Sequence, residues 1–154
     1  MNIPAEEFRQ RRETLLNSLG DNVFLLLSNF EHQKNSDVHF NFRQDSSFYY
    51  LTGFTEADSL LMLDPKSEDK FLLFVRPKDR TREIWDGFRY GPEGAVETFL
   101  ADDAWTNEDL SKVLKDKLKG RTVQFNSKKG HPLNEELLSL IGIHAESITA
   151  NSTY

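Results

Sequence analysis

The run Val23-Phe24-Leu25-Leu26-Leu27 is apolar at every position. A strand with one face in water alternates apolar and polar side chains, so an unbroken run of this kind predicts a strand covered on both faces, in the middle of a sheet. What covers those faces is set by the order of the other elements. At 154 residues the chain has the length of one domain, able to bury roughly 70% of the surface its unfolded form exposes.

The rest of the chain supplies the layers. Residues 5–19 predict a helix: Pro4 suits its first turn, Phe8, Leu15, Leu16 and Leu19 share one broad side, and Gly20 can end it in a left-handed conformation. Residues 29–42 are polar and aperiodic and predict a long surface loop. Residues 48–52 are rich in aromatics and read as a strand broken by Gly53, with Tyr49 and Tyr50 on opposite faces. Residues 59–64 and 71–75 are two more strands, joined into an antiparallel hairpin by the turn chemistry of Asp64-Pro65-Lys66-Ser67-Glu68-Asp69. A short helix is expected over 92–100. Thr106, with Asp109 three positions on, resembles a capping box ahead of the stripe Leu110, Val113, Leu114 and Leu118, which stops at Gly120. A strand over 122–125, a helix over 132–141 closed by Gly142, and a last strand over 145–149 complete the order. It reads as a mixed β-sheet flanked by helices, one unit over residues 1–154 without repeat or linker.

Composition narrows the function. A net charge of −6 argues against a general nucleic-acid binder, which needs clustered Lys and Arg. The basic stretch 112–121 is interrupted by Asp116 and reads as a solvated helix face. There is no cysteine, which removes disulfides, thiolate metal sites and cysteine nucleophiles and fits a reducing compartment. The amino terminus has no basic segment leading into an apolar run, and no apolar stretch approaches the length needed to cross a bilayer. A soluble cytoplasmic protein is the expectation. Twelve phenylalanines point to an aromatic-rich core.

Residues capable of chemistry are few. The four histidines, His32, His39, His131 and His144, form no helical pair three or four apart, and no His-Glu-x-x-His occurs. His32 and His39 share the long loop, where exposed polar histidines explain them better than a metal. Glu6-Glu7 and Asp102-Asp103 are expected near helix starts, where the dipole favours negative charge, rather than as catalytic dyads. Ser46-Ser47 lacks a nucleophile elbow and a base, and Gly87, Gly91 and Gly94 are too loosely spaced to cradle a phosphate. The residues alone describe an α/β domain without a catalytic constellation.

Three stretches add a resemblance. They are Ile3-Pro4-Ala5-Glu6-Glu7-Phe8-Arg9-Gln10-Arg11-Arg12, then Arg43-Gln44-Asp45-Ser46-Ser47-Phe48-Tyr49-Tyr50-Leu51-Thr52-Gly53-Phe54, then Glu83-Ile84-Trp85-Asp86-Gly87 with Arg89 and Gly91 following. Together they resemble the non-catalytic N-terminal domain of the Xaa-Pro aminopeptidase (aminopeptidase P) family. That resemblance implies a ribonuclease-H-like, creatinase N-terminal-type fold. It implies a parent metallopeptidase that removes the residue before proline, using two divalent ions, manganese, held by a pita-bread catalytic domain. The Asp-Ala-Gly and Gly-x-Gly-His ligand runs of that domain do not occur here, so the catalytic domain is absent from this chain and no metal is expected on it.

The implied partners are the chain's own catalytic domain, the X-Pro peptide substrate and further copies in a homo-oligomer, with no nucleic acid or membrane. Trp85 and Asp37 are the implied substrate-side residues: the indole offers a flat face for a proline ring and an N–H for a peptide carbonyl. Arg43 is expected to pin the loop before the aromatic segment by holding backbone carbonyls. Two other readings are an inactive pita-bread relative that binds protein, and the N-terminal domain of a prolidase or creatinase-type hydrolase.

Overall fold

A computed structural model describes residues 3–31 and 42–151. Its centre is one six-stranded mixed sheet in the order β4-β3-β2-β1-β5-β6. β1 (Val23–Leu27) lies inside it, antiparallel to β2 (Leu60–Leu63) and parallel to β5 (Thr122–Phe125). β2 and β3 (Phe71–Val75) form the antiparallel hairpin, and parallel strands β4 (Asp103–Thr106) and β6 (Ser147–Thr149) extend the two sides.

Alternation along these strands sorts side chains into two cores. Leu25, Leu60, Met62, Leu72 and Phe74 face Leu110 and Leu114 of α5 (Leu110–Lys117) and Leu137 and Ile141 of α6 (Asn134–His144). On the other face, Phe24, Leu61, Leu63, Leu73 and Val75 meet Phe48 and Leu51 of α2 (Ser46–Thr52), Phe54, and Ala95 of α4 (Gly91–Phe99). α1 (Ala5–Ser18) lies over this second core, where Leu15 and Leu16 pack. Its Arg12 is buried, donating to the Leu51 carbonyl at 2.8 Å with its guanidinium 3.8 Å from the centre of the Phe71 ring. None of the described helices is long and apolar enough to cross a membrane.

The segment expected as a strand over 48–52 is a helix. Asp45 accepts the Phe48 N–H at 2.9 Å, and Gly53, at φ 72°, returns its N–H to the Tyr49 carbonyl at 2.8 Å. These two caps outweigh the strand preference of an aromatic run. A β-carbon at Gly53 would lie 2.7 Å from the Phe8 ring, so the stop is also a packing requirement. Tyr49 and Tyr50 therefore do not oppose each other; both lie partly in water.

Smaller corrections follow the same logic. Asp102-Asp103 opens β4, not a helix: the Asp102 carboxylate accepts the Phe71 N–H at 2.9 Å while its own N–H reaches the Phe71 carbonyl at 2.8 Å. Thr106 precedes a 3-10 turn (Asn107–Asp109), and α5 starts after it. α6 runs through Gly142 to His144. Arg121, counted with the solvated basic stretch, instead makes a bidentate pair with Asp64 at 2.8 and 2.9 Å. Burial alone would raise the Asp64 carboxyl, but hydrogen bonds from Arg121 and the Lys66 N–H hold it below its usual range.

Candidate functional site

Between β3 and α4 the chain makes an excursion from Lys78 to Gly91 that carries the Glu-Ile-Trp segment. Asp79 caps a short helix, α3 (Arg80–Asp86), by accepting the Thr81 and Arg82 N–H groups at 2.9 and 3.3 Å. Gly87, at φ 91°, ends it with its N–H on the Glu83 carbonyl at 3.0 Å. A helix of seven residues is not stable by itself in water. Tertiary contacts must hold it.

Those contacts are mostly polar. Glu83 Oε1 accepts both the Lys78 ammonium at 3.0 Å and the Arg89 N–H at 2.7 Å. Lys78 Nζ also donates to the Arg89 carbonyl at 2.7 Å and lies 4.4 Å from the centre of the Phe88 ring. The Arg89 N–H and the Lys78 ammonium hold the Glu83 carboxyl below its usual range. Beneath them, buried Glu56 accepts the Tyr90 N–H at 2.9 Å through Oε2, with its other oxygen 3.7 Å from Arg76. Burial raises the Glu56 carboxyl, against the pull of the Tyr90 N–H and Arg76. An aromatic ladder continues outward: Phe54, Phe99 and Tyr90 pack together in the core layer, and Phe88 meets the Tyr90 ring edge-on at 4.9 Å.

Beside exposed Arg80, Thr81 and Arg82, this base presents three large apolar side chains in water. Trp85 is 84% exposed, Ile84 78% and Phe88 65%. Ordinary packing under a loop therefore does not describe Trp85. Three large apolar side chains exposed within five residues of a braced segment are candidates for cover by another surface. The indole can stack on a ring and donate one hydrogen bond, and Glu83 is engaged by Lys78 and the Arg89 N–H.

Asp37, His32 and His39 lie outside the described residues. His131 is buried, its Nδ1 accepting the Leu133 N–H at 3.0 Å and its ring edge-on to Phe30. Burial, with a smaller contribution from Lys128, pushes its pKa down to about 4, so at neutral pH it is a neutral structural group. Glu6 and Glu7 pair with Arg9 and Arg11 along α1. Among the described residues no three His, Asp or Glu side chains are gathered to hold a metal ion. The described part of the domain thus does not fit the two-ion centre implied for the family.

The loop that Arg43 is expected to pin lies outside the described residues; among the described ones its neighbour Gln44 makes contacts of that kind. Gln44 accepts the Asn29 N–H at 2.9 Å and donates to the Phe54 and Glu56 carbonyls at 3.2 and 2.8 Å, while the Arg43 side chain is exposed. The same region borders an open groove of about 710 Å³ along α1 and α2, where Arg11 stacks on Tyr50 and is committed to Glu7 and the Tyr50 carbonyl. Lys78 and Glu56 carry no motif signal; only the fold brings them beneath α3.

With this geometry in place, comparison with known proteins gives a consistent result. The family model described as aminopeptidase P, N-terminal domain, matches residues 8–125. The Xaa-Pro aminopeptidase of Haemophilus influenzae is 35% identical over 148 residues, covering 95% of this chain and 34% of that protein. Human Xaa-Pro aminopeptidase 3 is 38% identical over 107 residues, 66% of this chain and 21% of the relative. The solved structure of Pseudomonas aeruginosa aminopeptidase PepP matches with a TM-score of 0.86 at 30% identity, over 97% of this chain and 37% of that one. The chain spans about a third of the length of the first of these relatives and of the solved structure.

Proposed function

The chain belongs to the aminopeptidase P N-terminal-domain family, and from that premise we propose that residues 1–154 are the non-catalytic accessory part of a metal-dependent Xaa-Pro aminopeptidase. Relatives that bear that name, and the fraction of their length matched here, support this reading over a prolidase, a creatinase or an inactive protein-binding relative. In it, a pita-bread catalytic domain holds two divalent ions, manganese, and cleaves the bond before proline. This domain shapes the substrate entrance and supplies contacts between copies. The cytoplasm is the compartment that suits a cysteine-free chain.

One observation carries the substrate-side role: Trp85 stands 84% exposed on a segment whose base is fastened by charge-assisted hydrogen bonds. A flat apolar ring held out in water suits a pyrrolidine face arriving from another domain or copy, with the indole N–H available to a peptide carbonyl. Asp37 is proposed to face the same entrance, where a carboxylate suits the free amino terminus of a peptide.

The 154-residue chain alone should release no residue from an Xaa-Pro peptide, with or without added manganese; turnover by it would end the accessory reading. In the full-length enzyme, Trp85→Ala should lower kcat/KM for such peptides by tenfold or more, about 2 kcal/mol for a buried aromatic anchor. Unchanged kinetics would remove Trp85 from the entrance.

A further inference from the structure

We propose that Lys78 and Glu83 are positioning residues that aim Trp85, so that the specificity of the full-length enzyme depends on a clamp that never touches substrate. This rests on the reading of Trp85 as a substrate-side residue. An exposed Lys–Glu pair is ordinarily worth little, because water competes for both partners. This one differs in what it joins. Glu83 Oε1 takes the Lys78 ammonium and the Arg89 N–H together, and the same ammonium takes the Arg89 carbonyl at 2.7 Å. The three groups close a ring through residues 78, 83 and 89, which come before, within and after the α3 turn.

The backbone is shaped to permit that closure. Gly91, at φ 67°, lies so near Lys78 that a β-carbon there would meet the Lys78 β-carbon at 2.8 Å. The stem of Lys78 therefore runs against the exit of the excursion, and its head reaches back over Phe88 at 4.4 Å. Ile84, Trp85 and Phe88 are largely in water, so apolar burial cannot set where α3 points. The clamp and the Asp79 cap are polar contacts placed to do so. With the ammonium removed, the Arg89 carbonyl turns to water and Glu83 keeps the Arg89 N–H without its counter-charge, so the ring opens and the seven-residue helix is freer to tilt.

The test is a double-mutant cycle in the full-length enzyme on an Xaa-Pro peptide. Lys78→Met retains most of the stem and removes the donors. It should lower kcat/KM about tenfold, mainly through KM, as expected when a recognition group is misplaced by a fraction of an ångström. Metal content and thermal midpoint should be unchanged. Lys78→Arg, which restores a donor, should recover part of the loss. In a Trp85→Ala background, Lys78→Met should add almost nothing, because its effect passes through the indole.

If Trp85→Ala is harmful and Lys78→Met is silent, the clamp is overturned while the Trp85 site stands. If Lys78→Met does equal harm with and without Trp85, it acts elsewhere and the proposal fails. A silent Trp85→Ala overturns the site reading and the clamp with it.

Discussion

In the middle of the sheet, Phe24, Leu25 and Phe74 are sealed on every side, whereas Ile84, Trp85 and Phe88 stand in water on a short helix braced by charges. Both regions hold large apolar side chains, and they hold them for opposite reasons. In the sheet the side chains are the adhesive: strands and helices are placed by what those groups bury. In the excursion from 78 to 91 the adhesive is polar and lies underneath, and the apolar groups are its cargo. Burial energy spent inside the domain cannot also be spent on a partner. The placement of polar bonds below and apolar groups above leaves those groups free for the recognition role proposed for Trp85.

The contrast can be broken at several points. The largest effect belongs to the core: Leu25→Ala should cost about 3–4 kcal/mol in urea unfolding, because both the lost transfer energy and the cavity count. A loss below about 1 kcal/mol would show that the two-faced packing of β1 does not carry the fold. Next is His131, a polar group used structurally beside that core. Its folded pKa of about 4 lies below the ordinary 6.5, so its neutral form contributes stability that is full above pH 6.5 and is lost as pH falls toward 4. The loss near pH 4 should be about 2–3 kcal/mol. His131→Asn, whose side-chain carbonyl can still accept the Leu133 N–H, should flatten that acid limb; an unchanged slope would assign it to other groups. The smallest expected effect is the sharpest. Trp85→Ala should change the stability of the domain by no more than about 0.5 kcal/mol. A larger loss would make the indole part of the fold and erase the distinction between the regions.

What the sequence reveals follows the same division. β1 and the hairpin of β2 and β3 are legible because burial on both faces leaves unbroken apolar runs, and the Leu110, Leu114, Leu118 stripe because burial on one side imposes a helical period. α2 is misread because its aromatics favour a strand while the deciding groups, Asp45 and Gly53, are single residues at its ends. β4 is missed because it is short, half-buried and opened by a carboxylate that satisfies Phe71 from across the ladder. Trp85 is found through a family pattern, not through physics. Lys78 and Glu56 leave no trace in the sequence, since an isolated Lys or Glu looks the same whether it grips a backbone or faces solvent.

The pairing of β1 has a kinetic consequence. Val23 sits in register with Phe24 and Leu25 against Val123, Gln124 and Phe125, residues synthesised roughly a hundred positions later. At the ribosome, that interval is on the order of 5–20 s, during which the hairpin can dock on one side of β1 while its other edge waits unpaired. The nascent chain therefore carries the unpaired backbone edge of an apolar strand for about a million times longer than a hairpin takes to form, and protecting that edge until β5 emerges is the cell's task rather than the sequence's.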